Sequence, residues 1–160
     1  GRAKDLIIRG GHNIDPAQIE EALMGHASVA FAGAIGQPDV HSGELPCVYV
    51  ELVADGEVTP DKLKAFCEEH VPERAAHPKY VEILDELPKT AVGKVFKPDL
   101  RKRAIIRIFN EALSDAGLQA SVVEVRDDKQ LGLIACVASE ASDSEITAVL
   151  GGFANTWRRA

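Results

Sequence analysis

The sequence lacks long hydrophobic runs and contains little cysteine and few aromatic residues. No apolar stretch reaches the roughly 18 residues that a membrane-spanning helix needs, so a transmembrane protein is excluded. Only three cysteines occur among 160 residues, Cys47, Cys67 and Cys136, and no CxxC pair is present. These counts exclude a disulfide framework and a cysteine-based metal or redox site, and they favour a location in the reducing cytoplasm.

Basic residues are concentrated in one stretch of an otherwise acidic chain. The formal net charge of −7 disfavours long-range attraction to nucleic acid or to an anionic membrane. Within residues 79–107, however, eight basic residues oppose four acidic ones. This pattern favours a local site for an anionic small molecule. A nucleic-acid-binding helix over residues 97–107 would also need interleaved aromatic residues, which that stretch lacks.

Four helices are predicted from capping and proline patterns. The first two begin with a capping residue followed by proline, and the third begins at a proline. These starts are Asp15-Pro16, Thr59-Pro60 and Pro98. The third helix is expected to end at Gly117. The fourth begins with the capping box Ser142-x-x-Glu145, and its apolar stripe is expected to continue through a Gly-Gly pair to Trp157.

Short β-rich runs alternate with these helices. They cover residues 5–9, 29–35, 46–53, 80–84, 120–125 and 131–138. The chain is therefore predicted to have an α+β fold, with helices packed on a small mixed sheet and a C-terminal αββα-like extension. A polar hinge near Gly117 divides this prediction into residues 1–116 and a small α/β extension over residues 117–160, which is expected to pack on them.

Two ordered motifs resemble those of a known enzyme superfamily. Residues 1–20 read GRAKDLIIRGGHNIDPAQIE, and residues 87–97 read LPKTAVGKVFK. Together they resemble the hinge motif and the catalytic-lysine motif of the small C-terminal domain of acyl-adenylate-forming enzymes. That superfamily includes acyl-CoA synthetases, peptide-synthetase adenylation domains and beetle luciferases. Lys89 and the continuation after Lys94 are closer to the AMP-forming acyl-CoA synthetases than to the peptide synthetases.

The resemblance implies that residues 1–116 are the C-terminal lid domain of an AMP-forming acyl-CoA ligase. In that family a carboxylic acid, here expected to be a fatty acid, reacts with ATP to give acyl-AMP, and CoA then displaces AMP. The implied cofactors are ATP, Mg²⁺ and CoA, and Mg²⁺ arrives with ATP at the larger N-terminal domain. The chain opens on Gly1 without an initiator methionine or a signal peptide. We therefore expect a fragment that lacks this N-terminal partner and is inactive alone.

The resemblance assigns three residues to nucleotide chemistry and to the hinge. Lys94 matches the catalytic lysine, whose charge stabilises the attack of a carboxylate on the α-phosphorus of ATP. Arg2 matches the arginine that hydrogen-bonds the nucleotide ribose, a task suited to a planar fork of donors. Lys4 occupies the hinge position, whose backbone torsions absorb the rotation of the lid between the two steps.

The resemblance also assigns a CoA-binding segment. Gly10 and Gly11 match the glycine pair that lines the tunnel for the pantetheine arm, where close backbone approach excludes a Cβ atom. His12 and Asn13 flank that pair and are placed near CoA. An ordinary turn between two elements explains the same glycines. No metal ligand is predicted, because the remaining histidines share no spacing typical of a metal site.

The alternative function is a non-catalytic binding or interaction module that keeps the fold of the lid. In that case Lys94 is a solvated loop lysine, Lys4 is a surface lysine and Arg2 is an exposed terminal arginine. The two functions differ in one measurable property. Only the ligase domain requires Lys94 for one of the two half-reactions.

Overall fold

The computed structural model describes residues 5–160, which form two compact units. The first unit comprises the described residues up to Gly36 together with Glu44–Leu100, and the second comprises Gln37–Gly43 and Arg101–Ala160. Helices and short strands alternate in both units, so the predicted α+β class is confirmed. No helix within residues 5–160 is long and apolar enough to cross a lipid bilayer.

The first unit is built on a five-stranded sheet. Its strands are β1 (Ile7–Arg9), β2 (His12–Ile14), β3 (Val29–Asp39), β4 (Gly43–Leu52) and β5 (Tyr80–Ile83). They follow the order β2-β1-β4-β3, and β5 pairs with β4 in parallel, with Cys47 opposite Tyr80. β1 and β2 form an antiparallel hairpin in which Ile7 faces Ile14. The sheet is therefore mixed, as predicted.

Two helices and a short 3₁₀ helix complete the first unit. They are α1 (Ala17–Met24), α2 (Pro60–His70) and the 3₁₀ turn Arg74–Ala76. The predicted start of α2 is confirmed, because the Thr59 hydroxyl accepts a hydrogen bond from the Lys62 N–H at 3.2 Å. At α1 the prediction of Asp15 as the cap is wrong, because Pro16 is the N-cap residue, although the Asp15 carboxylate before it accepts from the Ala17 N–H at 2.9 Å. β2 intervenes before this helix, although the sequence predicted only a turn there.

The core of the first unit lies between the sheet and its helices. Fully buried side chains from both meet there, among them Ile7, Ile14, Ile19, Leu23, Val48, Val50 and Leu63. Each such side chain contributes about 1.5–3 kcal/mol relative to an exposed position. Cys67 belongs to the same cluster, and burial, with a smaller contribution from Glu68, raises the pKa of its thiol to about 12. This thiol is therefore a core group and no nucleophile.

The second unit consists of two helices and a three-stranded sheet. Its elements are α3 (Lys97–Asp115, which begins in the first unit), β6 (Ala120–Asp128), β7 (Gly132–Ser139), α4 (Asp143–Leu150) and β8 (Thr156–Arg159). β6 pairs with β7 antiparallel, and β7 pairs with β8 in parallel. Phe109 and Leu113 of α3 share a buried cluster with Ile146 and Leu150 of α4.

The fourth helix is shorter than predicted. Its capping box is confirmed, because Ser142 and Glu145 exchange both hydrogen bonds. The prediction that the helix continues to Trp157 is wrong, since α4 ends at Leu150 and Trp157 lies in β8 opposite Ala135. The two glycines after Leu150 each disfavour helix by up to about 1 kcal/mol. Trp157 therefore packs against the buried cluster of the second unit from strand β8 and not from a helix.

The division into compact units lies within α3, and the domain boundary near Gly117 stays a prediction. The chain divides between Leu100 and Arg101, within α3, because the later part of that helix packs with β6 and β7. Gly117 ends α3 as predicted, with φ +76° and with the Leu118 N–H donating to the Leu113 carbonyl. The hairpin tip Gln37–Gly43 joins the second unit, where Gln37 accepts a hydrogen bond from Arg107 at 2.6 Å.

Candidate functional site

Lys94 follows a tight turn whose backbone is closed by hydrogen bonds. The Thr90 N–H donates to the Lys94 carbonyl at 2.7 Å, and the Gly93 N–H donates to the Thr90 carbonyl at 2.9 Å. Lys89 and Val95 form an antiparallel bridge at the base of the turn. Gly93 has φ +85°, a conformation that residues with a Cβ atom rarely adopt. The glycine before the candidate lysine is therefore required by the local geometry.

The side chain of Lys94 is exposed at this turn. Its backbone N–H donates to the Thr90 hydroxyl at 3.2 Å. Its ammonium group forms no ion pair with any carboxylate within residues 5–160. Lys94 thus presents an uncompensated positive charge on a backbone of defined shape, which is the property needed to bind an anion.

Lys89, on the same turn, is paired with a carboxylate of the sheet. Its Nζ lies 2.7 Å from Glu51 Oε1, and the Leu87 N–H donates to the same oxygen at 2.9 Å. The Lys89 Nζ also lies 4.4 Å from the centre of the Phe31 ring. Partial burial opposes ionisation of Glu51, but the hydrogen bonds from Lys89 and Leu87 outweigh it and lower the pKa of the carboxyl group.

Lys97 is paired in the same way on the other side of Lys94. Its Nζ lies 2.9 Å from Glu20 Oε2, and that oxygen accepts a hydrogen bond from the Ala34 N–H at 2.9 Å. Beneath this segment, a Cβ atom at Gly33 would lie 2.6 Å from Leu100 Cδ1 and 2.9 Å from Val95 Cγ1. The side chains after Lys94 therefore pack directly on the β3 backbone, where only glycine leaves enough room.

Gly10 and Gly11 form the exposed turn of the β1–β2 hairpin. Gly10 has φ +59°, so a side chain there would be strained whatever the space around it. A Cβ atom at Gly11 would meet no heavy atom within 4 Å. Asn13 is exposed and lies opposite Ile8 in the hairpin. The glycine pair therefore serves as a turn, and open space lies next to its second member.

His12 belongs to a small polar network beside that turn. Its Nε2 lies 2.6 Å from Glu73 Oε2, and the amide of Gln18 donates to Glu73 Oε1 at 2.8 Å. The hydrogen bond from His12, followed by the one from Gln18, lowers the pKa of the Glu73 carboxyl group. This network fixes the imidazole over the segment that precedes the 3₁₀ turn.

A basic cleft of about 440 Å³ lies next to His12. Its lining residues are Arg9, His12, Arg74, Ala75 and Lys79. Arg9 Nη1 donates to the Ala75 carbonyl at 2.8 Å, which anchors that guanidinium in the wall. Three cationic side chains therefore converge on one concave surface, an arrangement suited to phosphate groups. Lys94 does not line this cleft.

Most of this cleft has no signal in the sequence. Arg9 lies within the first motif and Lys79 begins the basic stretch, but nothing in the sequence indicated that they meet Arg74. The β1–β2 hairpin and the 3₁₀ turn bring these three residues together. Arg2 and Lys4 lie outside the described residues. Within residues 5–160, no three histidine, cysteine or acidic side chains are placed to hold a metal ion.

Sequence comparison places residues 18–94 in a known family. They match the sequence model described as the AMP-binding enzyme C-terminal domain. Marinolic acid–CoA ligase of Pseudoalteromonas sp. (strain SANK 73390) is 42% identical over 151 residues, which cover 93% of this chain and 23% of that protein. The 2-succinylbenzoate–CoA ligase of Bacillus cereus (strain Q1) is 45% identical over 101 residues, covering 63% and 20% respectively. The chain thus spans about a fifth of the length of these relatives.

Solved structures with a similar fold include two CoA synthetases. The fatty acyl CoA synthetase of Mycobacterium tuberculosis superposes with a TM-score of 0.57 and 34% identity, covering 62% of this chain and 20% of that one. The o-succinylbenzoate CoA synthetase of Bacillus subtilis, solved with its acyl-adenylate intermediate, gives a TM-score of 0.57 and 36% identity. The superposed region covers 62% of this chain and 20% of the Bacillus subtilis enzyme.

Proposed function

The chain belongs to the family of AMP-binding enzyme C-terminal domains, and we propose that it is the lid of an AMP-forming acyl-CoA ligase. In this proposal residues 1–116 are the lid and residues 117–160 an extension of it. A larger N-terminal domain of the same enzyme holds ATP with Mg²⁺ and the acyl pocket. The sequence identity of 42% to a CoA ligase over 93% of this chain supports the assignment.

The proposed reaction has two steps. A carboxylate oxygen attacks the α-phosphorus of ATP, the bond to the bridging oxygen of pyrophosphate breaks, and acyl-AMP and pyrophosphate form. The thiol of CoA then loses its proton and attacks the acyl carbon, so that AMP leaves and a thioester remains.

We propose a fatty acid as the substrate, supported by the structural likeness to a fatty acyl CoA synthetase. The three buried, free cysteines fit a reducing cytoplasmic location.

The observation that carries the proposal is the unpaired cation of Lys94 between two paired lysines. The first step brings two anions together, so a positive charge near the α-phosphate lowers the energy of its transition state. Lys89 and Lys97 already have carboxylate partners, whereas the Lys94 ammonium has none within residues 5–160. We propose that Lys94 supplies this charge, that Arg2 binds the ribose and that Lys4 is the hinge.

The second step is proposed to use the β1–β2 turn and the basic cleft beside it. Gly10 and Gly11 leave open space for the pantetheine arm, and His12 and Asn13 lie next to them. The cleft then receives the phosphates of CoA. In this proposal the lid presents different side chains to the two steps, and the absence of Lys94 from the cleft lining supports this.

Removing cleft cations should weaken CoA binding and spare adenylation. In the full-length ligase we expect Arg74→Ala and Lys79→Ala each to raise the KM for CoA roughly five- to tenfold, since a charge-assisted hydrogen bond contributes about 1.5–3 kcal/mol, less at an exposed site. Steady-state kinetics with CoA and with 3′-dephospho-CoA measures this. Lys62→Ala, an exposed lysine on α2, is the control. An unchanged KM for CoA in both variants would remove the cleft from the CoA site.

The chain alone should not activate acids. It carries the proposed Lys94 cation, but the proposal places the ATP site and the acyl pocket in the N-terminal domain. We therefore expect the purified 160-residue protein to form no acyl-AMP from fatty acids, ATP and Mg²⁺. A pyrophosphate-exchange assay checks this, with the full-length ligase as positive control. Acyl-AMP formation by the chain alone would show that it contains a complete active site.

A further inference from the structure

Two carboxylates hold the segment that carries Lys94, one on each side. Glu51 pairs with Lys89, five residues before Lys94, at 2.7 Å. Glu20 pairs with Lys97, three residues after it, at 2.9 Å. Each carboxylate also accepts a hydrogen bond from a backbone N–H. The same arrangement therefore occurs twice, and Lys94 lies between the two ion pairs.

Both ion pairs are partly buried, and the carboxylate of each pair belongs to a helix or a strand. The four side chains are only 16–23% exposed. Pairs of this kind are less screened by salt and better fixed than pairs on an open surface. Glu51 belongs to β4 and Glu20 to α1, so both anchor points are rigid parts of the first unit.

We propose that Glu51 and Glu20 are positioning residues for Lys94 in the adenylation step. This inference rests on the proposed role of Lys94 and adds two residues that do not touch ATP. The pairs fix both ends of the turn, and they also neutralise the two neighbouring lysines. The α-phosphate therefore meets one cation at one place. Placement matters because a 1 Å error in a reacting group can cost about 10²-fold in rate.

Glu51→Gln in the full-length ligase tests the proposal. The amide still accepts the hydrogen bond from the Leu87 N–H but no longer carries the charge that holds Lys89. We expect acyl-AMP formation to slow roughly tenfold, and thioester formation from supplied acyl-AMP to stay at the parental rate. Lys89→Met removes only the ammonium group, and Glu20→Gln removes the charge that holds Lys97, so each should give the same pattern.

A double-mutant cycle separates positioning from simple stabilisation of the fold. Once Lys94 is replaced by alanine, the two pairs have no cation to position. Glu51→Gln should then slow the residual adenylation no further. An equal loss from Glu51→Gln in both backgrounds would mean that Glu51 only stabilises the domain, and it would overturn the proposal. Asp127→Asn breaks the more exposed Lys102–Asp127 pair of the second unit and is the control for loss of an ion pair elsewhere, with no expected effect on adenylation.

The outcome also distinguishes this inference from the proposed function. If Lys94→Ala itself leaves adenylation unchanged, the proposed role of Lys94 is wrong. If Lys94→Ala slows adenylation but Glu51→Gln, Glu20→Gln and Lys89→Met do not, only the positioning role is wrong. Thermal melting of each variant shows whether it folds. If Glu51→Gln does not fold, Lys89→Met takes its place in the test.

Discussion

Lys94→Ala in the full-length ligase is expected to slow acyl-AMP formation by roughly 10²–10³-fold, the usual effect of removing one preorganised group that stabilises transition-state charge. Thioester formation from supplied acyl-AMP should stay near the parental rate, because the rotated lid is proposed to present the β1–β2 turn, and not Lys94, to that step. Rapid-quench assays of the two half-reactions measure both rates. Since Lys94 is exposed, its replacement should leave the melting temperature unchanged.

The control for this prediction is a second exposed lysine of the same unit. Lys62→Ala removes an equal charge from α2, outside the turn that carries Lys94. It should leave both half-reactions unchanged, which excludes a general effect of net charge. Equal losses in both half-reactions for Lys94→Ala would contradict the assigned role. So would a loss of the same size for Lys62→Ala.

Gly11→Leu is expected to give the reverse pattern, a loss of thioester formation of at least about tenfold with adenylation spared. The leucine would occupy the open space beside the turn, where the pantetheine arm is proposed to pass only after the lid has rotated. The structure makes this a clean substitution, because a Cβ atom at Gly11 meets no heavy atom within 4 Å. The domain should therefore keep its stability, and thermal melting checks this.

Gly11→Ala is the graded control for the larger residue. Its single methyl group should slow the thioester step less than leucine does. Gly10 is unsuitable for this comparison, because its φ of +59° makes any side chain strained. If Gly11→Leu turns over CoA like the parent, the glycine pair is only a hairpin turn.

Lys4→Pro should act on the same step by restricting rotation. Proline fixes φ near about −65° at the proposed pivot, so the lid should be held mainly in the adenylation orientation. Acyl-AMP should then accumulate when acid and ATP are supplied, and thioester should appear slowly. Unchanged thioester formation would show that Lys4 is only a surface residue.

Local signals in the sequence predicted most elements of the first unit. Thr59-Pro60 was sufficient to place the start of α2, because a hydroxyl cap and a proline satisfy the first turn of a helix without help from the rest of the fold. Gly93, with φ +85°, likewise allows the tight turn before Lys94 without help from distant residues. These features depend on neighbouring residues alone, so they can be predicted from the sequence.

Features that depend on distant partners were missed. β2 is three residues long and exists through its pairing with β1, and β8 forms because Trp157 packs against the second core beside β7. Neither strand has a pattern of its own. The basic cleft and the Glu51–Lys89 pair join residues 38 or more positions apart. Tertiary contacts of this kind have no signature in a single sequence.

The most direct test of the lid assignment is a single-turnover quench experiment on the full-length ligase with α-labelled ATP, acid and CoA. We expect Gly11→Leu to accumulate labelled acyl-AMP rapidly and then to release AMP slowly as the thioester forms. Lys94→Ala should form acyl-AMP slowly and without accumulation, because CoA consumes it as it appears. Slowing of the same half-reaction by both substitutions, or of neither half-reaction by either, would contradict the account.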